Sequence, residues 1–300
     1  MSLPTLRQMQ FFAALVRRRS FSLAAEDCFV SQSTLSAGIK EFETTLGAPL
    51  VDRTSRAFAL TPLGEQVAGR SEEILALSRE MARLAEARPL LTGDLRMGLI
   101  PTIGPFLLPE LMPKLRDAYP DLRLYLREDI TDDLVAGLKA GRIDLAVLAM
   151  PVDTDGLETL VFGGDPFVFA CPPGHAFAGR ASITSADLGG ETLLLLEDGH
   201  CLREHALSAC RLQDRRTAAA FGATSLFTLA QMVRSGVGTT LLPRLAVDQG
   251  LAEGAGLAAV PVRDPGSQEG DGVPARDLGL AWRRGSGRAA EAEALAGMLS

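Results

Sequence analysis

The sequence predicts an α/β chain in three parts: an N-terminal winged helix-turn-helix, a long linker helix and a C-terminal α/β body of two lobes. Three observations predict it. The chain has 300 residues, 47% hydrophobic and 22% charged, which is too long for one ordinary domain and apolar enough to fill several cores. Apolar residues recur at helical spacing through the first 88 residues, and from Asp94 onward strand-like and helix-like segments alternate. Charge is also unevenly divided. Overall, 30 Lys+Arg against 37 Asp+Glu give a net charge of −7, which taken alone argues against nucleic-acid binding. Residues 1–64, however, hold seven basic and five acidic side chains, a net of +2, and the rest of the chain carries −9. DNA contact is expected in the first part.

The first part divides into three helices and a wing. Leu6, Met9, Phe12, Ala13 and Val16 mark a helix over 5–18. Ser20 or Ser22 caps a second over roughly 22–28, and Ser31 or Ser33 caps a third that runs to about Leu46, ended by Gly47. Two short helices joined by a tight turn make a helix-turn-helix, and the second lies in the major groove with its N-terminal residues at the base edges. Ser31, Gln32, Ser33, Thr34 and Ser36, with Lys40 a turn further on, supply amides, hydroxyls and a cation there. Residues 50–56 and 58–61 read as a two-stranded wing, with Arg53, Ser55 and Arg56 at its tip suited to phosphate or minor-groove contact. Arg17 to Arg19 either touch phosphate or, more simply, favour a helix C-terminus.

These residues carry a resemblance. Arg19 to Ala25, Val30 to Ser36, Leu46 to Leu50, Arg53 and Leu60 to Gly64 are similar to the LysR-type transcriptional regulators. The resemblance implies double-stranded DNA of promoter operators as a partner, and domain bounds of 1–64 for the DNA-binding module, 65–90 for a dimerisation linker helix and 91–300 for the regulatory domain. Independently of it, Glu65 to Arg88 contains no proline. Its Val67, Ile74, Leu77, Met81 and Leu84 form a narrow apolar stripe that suits a partner helix.

In the body, strands are expected at 95–100, 121–128, 143–148, 167–170, 193–196, 239–242 and 277–282. Helices are expected at 106–119, 132–140, near 202–211, at 225–235 and at 289–299. Such alternation implies doubly wound sheets in two lobes with a cleft between them, and ligands of such sheets sit beyond the carboxyl ends of strands. Thr102 and Thr131 fall at such ends. The resemblance implies a periplasmic-binding-protein-like regulatory domain, with lobe I at 94–166 and 268–300 and lobe II at 167–267.

Four cysteines are too few for a disulfide scaffold. The opening residues MSLPTLRQMQ lack a signal-peptide pattern, and no apolar run approaches the ~18 residues needed to span a bilayer. A cytoplasmic protein with reduced thiols and no membrane contact is expected. Cys28 lies on the apolar side of a short helix and Cys171 follows an apolar strand; both read as packing. Cys201 and Cys210 differ. Cys201 is expected at a helix start beside His200 and Arg203, where the helix terminus and cations lower a thiol pKa. If 202–210 is helical, about 13.5 Å separates the two α-carbons, whereas a disulfide tolerates at most about 7 Å. Joining them requires unwinding. On spacing alone they are a redox pair or two unrelated core residues.

The run Gly199 to Arg203 with Cys210 nine residues on, together with Ile100 to Pro105 and Ala223 to Leu226, resembles the hydrogen-peroxide-sensing branch of the same family. That resemblance implies that Cys201 is peroxidatic and Cys210 resolving, that Thr102, Thr131 and His200 position hydrogen peroxide, and that Arg276 and Arg203 help hold the thiolate. It implies an activator of antioxidant genes that is not an enzyme and has no cofactor or metal. It also implies a homotetramer built as a dimer of dimers, contact with RNA polymerase, and resetting by thiol reductants such as glutaredoxin or thioredoxin. Ala220 departs from the branch, where a histidine is common. An alternative keeps the DNA module but makes the cleft a receptor for a small organic anion, with the cysteines incidental. A thiol peroxidase would leave the DNA module unexplained.

Overall fold

The computed structural model describes residues 3–52, 58–84, 89–197, 201–210, 223–263 and 273–299. Near residue 88 the chain divides into two compact units.

The first unit opens with α1 (Leu6–Arg18), α2 (Phe21–Asp27) and α3 (Gln32–Leu46). Thr5, Ser20 and Ser31 cap them, each side chain accepting a backbone N–H from the first turn, which satisfies a donor that the helix leaves open. Phe12, Leu15, Leu35, Ile39 and Phe42 are fully buried where the helices meet, and the rings of Phe12 and Phe42 pack edge-on at 5.8 Å. α3 ends on Gly47 at φ 75°, the left-handed conformation that glycine adopts without steric cost.

The wing strands β1 (Val51–Asp52) and β2 (Ala59–Leu60) pair antiparallel. Arg53, Ser55 and Arg56, predicted at the tip, lie outside the described residues. The run Leu60 to Gly64 has a physical reason. The Thr61 hydroxyl donates to the Pro49 carbonyl and accepts from the Gly64 N–H, both at 2.9 Å. A Cβ on Gly64 would collide with the Leu50 carbonyl oxygen. Chain crossing and helix start are thereby locked together.

α4 (Pro62–Leu84) begins three residues before the predicted Glu65, with proline at its first position, where the missing N–H costs nothing. Leu75 and Ala76 are buried, while Ile74, Leu77 and Met81 are exposed. The helix therefore has one apolar face used within its own unit and a second left open.

The second unit contains β3 (Gly93–Leu99), α5 (Gly104–Ala118), β4 (Leu122–Glu128), α6 (Thr131–Lys139), β5 (Leu145–Met150), β6 (Leu157–Cys171), β7 (Ile183–Thr184) and β8 (Leu193–Leu194). It continues with α7 (Cys201–Ala209), α8 (Leu226–Arg234), β9 (Thr239–Pro243), α9 (Arg244–Asp248), α10 (Leu251–Gly254), β10 (Ala258–Arg263), β11 (Ala275–Arg283) and α11 (Ala289–Leu299). The strands run β4-β3-β5-β11-β6-β10-β7, with β9 on β6 and β8 on β9. β3 is parallel to β4 and β5, as predicted for a wound sheet.

The sheet departs from the predicted pattern at β6 and β11. β6 is one 15-residue strand. Residues 157–166 pair antiparallel with β11, and residues 167–171 pair with β9 and β10. One strand thus serves both lobes. Only its apolar second half was predicted, because the first half alternates and then reads Gly163-Gly164-Asp165-Pro166, which looks like a turn. β7 and β10, and the short helices α9 and α10, were also unpredicted.

Each lobe has its own anchor. The lobe around β9 has a core of Phe167, Phe169, Leu194, Leu196, Leu229, Leu241 and Val260. In the other, Asp144 accepts from Arg96 Nε at 2.9 Å and pairs with Arg288 at 3.2 Å, tying α11 to the sheet.

Candidate functional site: a DNA-reading face and a buried thiol site

In the first unit, Ser31 is the α3 N-cap; its hydroxyl accepts from Thr34 N–H at 3.1 Å and lies 2.9 and 2.8 Å from the Ser33 and Thr34 hydroxyls. Gln32 accepts from the Ser22 hydroxyl at 3.0 Å. Ser31, Gln32, Ser33, Thr34 and Lys40 are exposed and Ser36 is half-buried. A cluster of exposed donors and acceptors therefore opens the second helix of the pair, where a recognition helix meets base edges. Arg18 is committed elsewhere: Nε and Nη2 grip both Asp27 oxygens at 2.8 and 2.7 Å. Arg17 and Arg18 lie in the last turn of α1, in keeping with the simpler reading of the 17–19 run. Cys28 packs at the edge of the core and burial pushes its thiol up.

In the second unit, a buried cation organises the site between the lobes. Arg276 enters at the start of β11, in register with Asp165 on β6. Its Nε and Nη2 donate to Asp165 Oδ2 at 3.0 and 2.8 Å. Nη1 donates to the Thr102 hydroxyl at 2.8 Å, and Nη2 also donates to the Thr102 carbonyl at 3.0 Å. Asp165 Oδ1 accepts Leu245 N–H at 2.9 Å. Arg276, Asp165 and Thr102 are each only 2% exposed. A buried charge is tolerated only when paired and hydrogen-bonded, and this one is.

Cys201 is the first residue of α7 and acts in this field. Burial is the largest influence on its thiol and pushes it up. The Thr131 hydroxyl, the Arg276 guanidinium and the backbone N–H of Cys201 itself pull it down, and Glu204 adds to the upward push. The net direction is upward. This corrects the predicted lowering: the helix terminus and a cation do act as expected, but desolvation outweighs them. Among the cations, Arg276 lowers the thiol pKa. Thr131 Oγ1 is buried and, among the described residues, has no hydrogen bond of regular geometry. His200 and Ala220 lie outside the described residues.

Cys210 sits in another setting. Leu202, Ala206 and Cys210 are buried on one face of α7 and belong to the apolar core of the β9 lobe. Nine residues at 100° per residue put Cys201 on the opposite face. The helical bonding continues to Cys210, whose N–H donates to Ala206 O at 3.1 Å. Neither cysteine is in a disulfide. Cys171 is buried, with its thiol pushed up to about 11 by burial. The ends of the segment bearing α7 are tied together by a bridge between Leu196 and Ala223 and by Glu197 N–H donating to Ala223 O at 3.1 Å.

Two residues of this site were not predicted. Asp165, a lone acid ahead of an apolar strand, is detectable as a charge where burial is expected. His205, four residues after Cys201, is detectable from helical spacing alone. Among the described residues no group of His, Cys, Asp or Glu is placed to hold a metal, and no helix is long and apolar enough to cross a membrane.

A DNA-reading helix pair, joined through a long helix to a two-lobed α/β body with a buried site, defines a transcription regulator with its own sensing domain. The chain belongs to the LysR family: the bacterial regulatory helix-turn-helix protein, lysR family, matches residues 6–65, and the LysR substrate binding domain matches residues 88–300. It is 42% identical to the HTH-type transcriptional regulator EstR of Acinetobacter baylyi over 82% of each chain. It is 39% identical to the hydrogen peroxide-inducible genes activator of Dickeya chrysanthemi, covering 94% of this chain and 90% of that one. Full-length OxyR from Pseudomonas aeruginosa superposes with a TM-score of 0.79 at 33% identity, over 99% of this chain and 98% of that one. A hydrogen-peroxide-bound OxyR mutant from Corynebacterium glutamicum gives 0.66 at 33% identity, over 99% and 92%. The chain is a LysR-type DNA-binding regulator of the OxyR group, and not an enzyme.

Proposed function

We propose that the regulator senses hydrogen peroxide through Cys201 and records it as a Cys201–Cys210 disulfide. The Cys201 thiolate attacks one peroxide oxygen; an S–O bond forms, the O–O bond breaks, and the departing hydroxide leaves as water after taking a proton. The Cys210 thiolate then displaces the sulfenic hydroxyl, forming the S–S bond as the S–O bond breaks, and the departing hydroxide takes up the proton that Cys210 gave up and leaves as a second water. Thr102 and Thr131 position the peroxide and Arg276 steadies the thiolate, with His200, next to Cys201 in the sequence, also contributing. One observation carries this reading above all. Cys201 lies in a buried polar site held by Arg276, while its partner thiol is on the far side of an intact helix, so disulfide formation requires α7 to unwind. That is a two-state element of the kind a switch needs.

The rest follows the same reading. The open apolar face of α4 (Ile74, Leu77, Met81) pairs with a second copy, and two dimers form a tetramer on promoter DNA. The rearranged lobe alters the grip on the operator and the contact with RNA polymerase, and glutaredoxin- or thioredoxin-type reductants restore the thiols. The deciding experiment is a thiol titration before and after one equivalent of peroxide. Loss of two thiols in the wild type and of none in Cys201→Ser supports the reading; no loss in the wild type overturns it.

A further inference from the structure

A proton problem remains at Cys201. Its buried thiol is pushed toward the protonated form, yet the attacking species is the thiolate. The departing hydroxide also needs a proton. A group that takes the first and returns the second would serve both needs.

His205 is four residues after Cys201 on α7, one helical turn along the same face. It is half-buried. Its Nδ1 is fully buried and has no hydrogen-bond partner among the described residues. An orphaned buried nitrogen is uncommon and calls for an explanation such as a catalytic role. A second buried polar atom without a regular partner, Thr131 Oγ1, also serves this thiol. Thr131 acts on the Cys201 thiol directly and His205 stands one helical turn from it, a pairing suited to a small polar guest with both donors and acceptors, as hydrogen peroxide has.

We propose that His205 is the proton-transfer residue of the peroxide site, taking the Cys201 proton and returning it to the leaving oxygen. This rests on the peroxide-sensing reading above. The neutral imidazole accepts the thiol proton at Nδ1, directly or across one hydrogen-bonded molecule. The thiolate attacks, sulfur is oxidised by two electrons and peroxide is reduced. The imidazolium protonates the departing hydroxide, leaving a sulfenic acid, one water and a neutral His205. Atoms and charge balance with peroxide as the sole co-reactant.

The surroundings suit the role. α7 packs on β11, which presents Arg276 and Asp277 to His205, while α7 itself presents Glu204. Burial and the Arg276 charge hold the imidazole below its ordinary pKa, against smaller opposing effects of Glu204 and Asp277. It is thus neutral and ready to accept at neutral pH. Arg276 acts on both partners, favouring thiolate and disfavouring imidazolium. The transferred proton is therefore held only transiently and readily given up.

The test is the rate of peroxide consumption by the reduced full-length protein from pH 5 to 9, in wild type, His205→Gln, His205→Ala and Cys201→Ser. Gln keeps hydrogen-bonding capacity but cannot carry the proton. The expected result is a rate about 100-fold lower at pH 7 in His205→Gln, with the acid limb of the wild-type profile absent and partial rescue of His205→Ala by added imidazole. An unchanged rate and pH profile in His205→Gln, with Cys201→Ser unreactive, overturns the role of His205 alone. A wild type no faster than Cys201→Ser overturns both readings. Should His205→Gln fold poorly, imidazole rescue of His205→Ala decides: rescue supports the role and its absence in a folded protein refutes it.

Discussion

The two ends of α7 hold thiols in opposite environments. Cys201 faces Thr131 and the field of Arg276, half-buried among polar groups, whereas Cys210 is fully buried beside Leu202 and Ala206 in an apolar core. Both belong to one nine-residue helix and its first following residue. The difference teaches that reactivity here is conferred by what the rest of the chain brings to the helix. Arg276 comes from β11, Asp165 from β6 and Thr102 from the turn after β3, and none of them is close to Cys201 in sequence.

The largest way to break this contrast is to remove Asp165. Asp165→Leu leaves the Arg276 charge buried and unpaired, which costs about 3–5 kcal/mol. Chemical denaturation of the second unit is expected to shift accordingly and peroxide reactivity to collapse with it. An unchanged denaturation midpoint would mean that the pair does not organise the site.

A smaller effect separates the thiols directly. Cys210→Ser puts a hydroxyl among apolar side chains and is expected to cost about 1–3 kcal/mol. Cys201→Ser, in a polar setting, should cost well under 1 kcal/mol by the same measurement. Equal costs would remove the distinction between the two settings.

The DNA-reading unit offers its own comparison within one helix. Gln32→Ala is expected to lose about 1–3 kcal/mol of discrimination at one base pair. Lys40→Ala should weaken all sequences alike and reduce the salt slope of binding by about 1. Affinities on operator and mutated operator at several salt concentrations distinguish them.

The smallest effect is on pH. The His205 pKa is lowered in the folded state, so between that value and its ordinary ~6.5 the unfolded chain binds a proton that the folded chain does not. Stability therefore rises with pH through that window and falls as pH drops. His205→Gln is expected to flatten this slope. Asp144 acts lower down: Arg96 and Arg288 offset its burial and hold its carboxyl well below the usual carboxylate range, so the stability it gives is lost only under strong acid.

Local patterns made the DNA-reading unit legible in the sequence. Its caps Thr5, Ser20 and Ser31 and the stop at Gly47 are encoded within a few residues of the elements they bound. Cys201, Cys210, Thr102 and Thr131 were also legible, from strand ends and a motif. What the sequence concealed depends on long-range pairing. Asp165 gains its meaning only from Arg276, 111 residues away, and the first half of β6 reads as a turn because its glycines are matched by β11 and not by neighbours. The direction of the Cys201 pKa was misread for the same reason, since burial is a property of the assembled lobes.

The most direct test of the central claim is peptide mapping of the reduced full-length protein after one equivalent of hydrogen peroxide, with Cys28 and Cys171 as internal controls. The account predicts one Cys201–Cys210 crosslink, with the two control thiols still free. Sulfinic acid at Cys201 with Cys210 unmodified, or oxidation spread evenly over all four thiols, would contradict it.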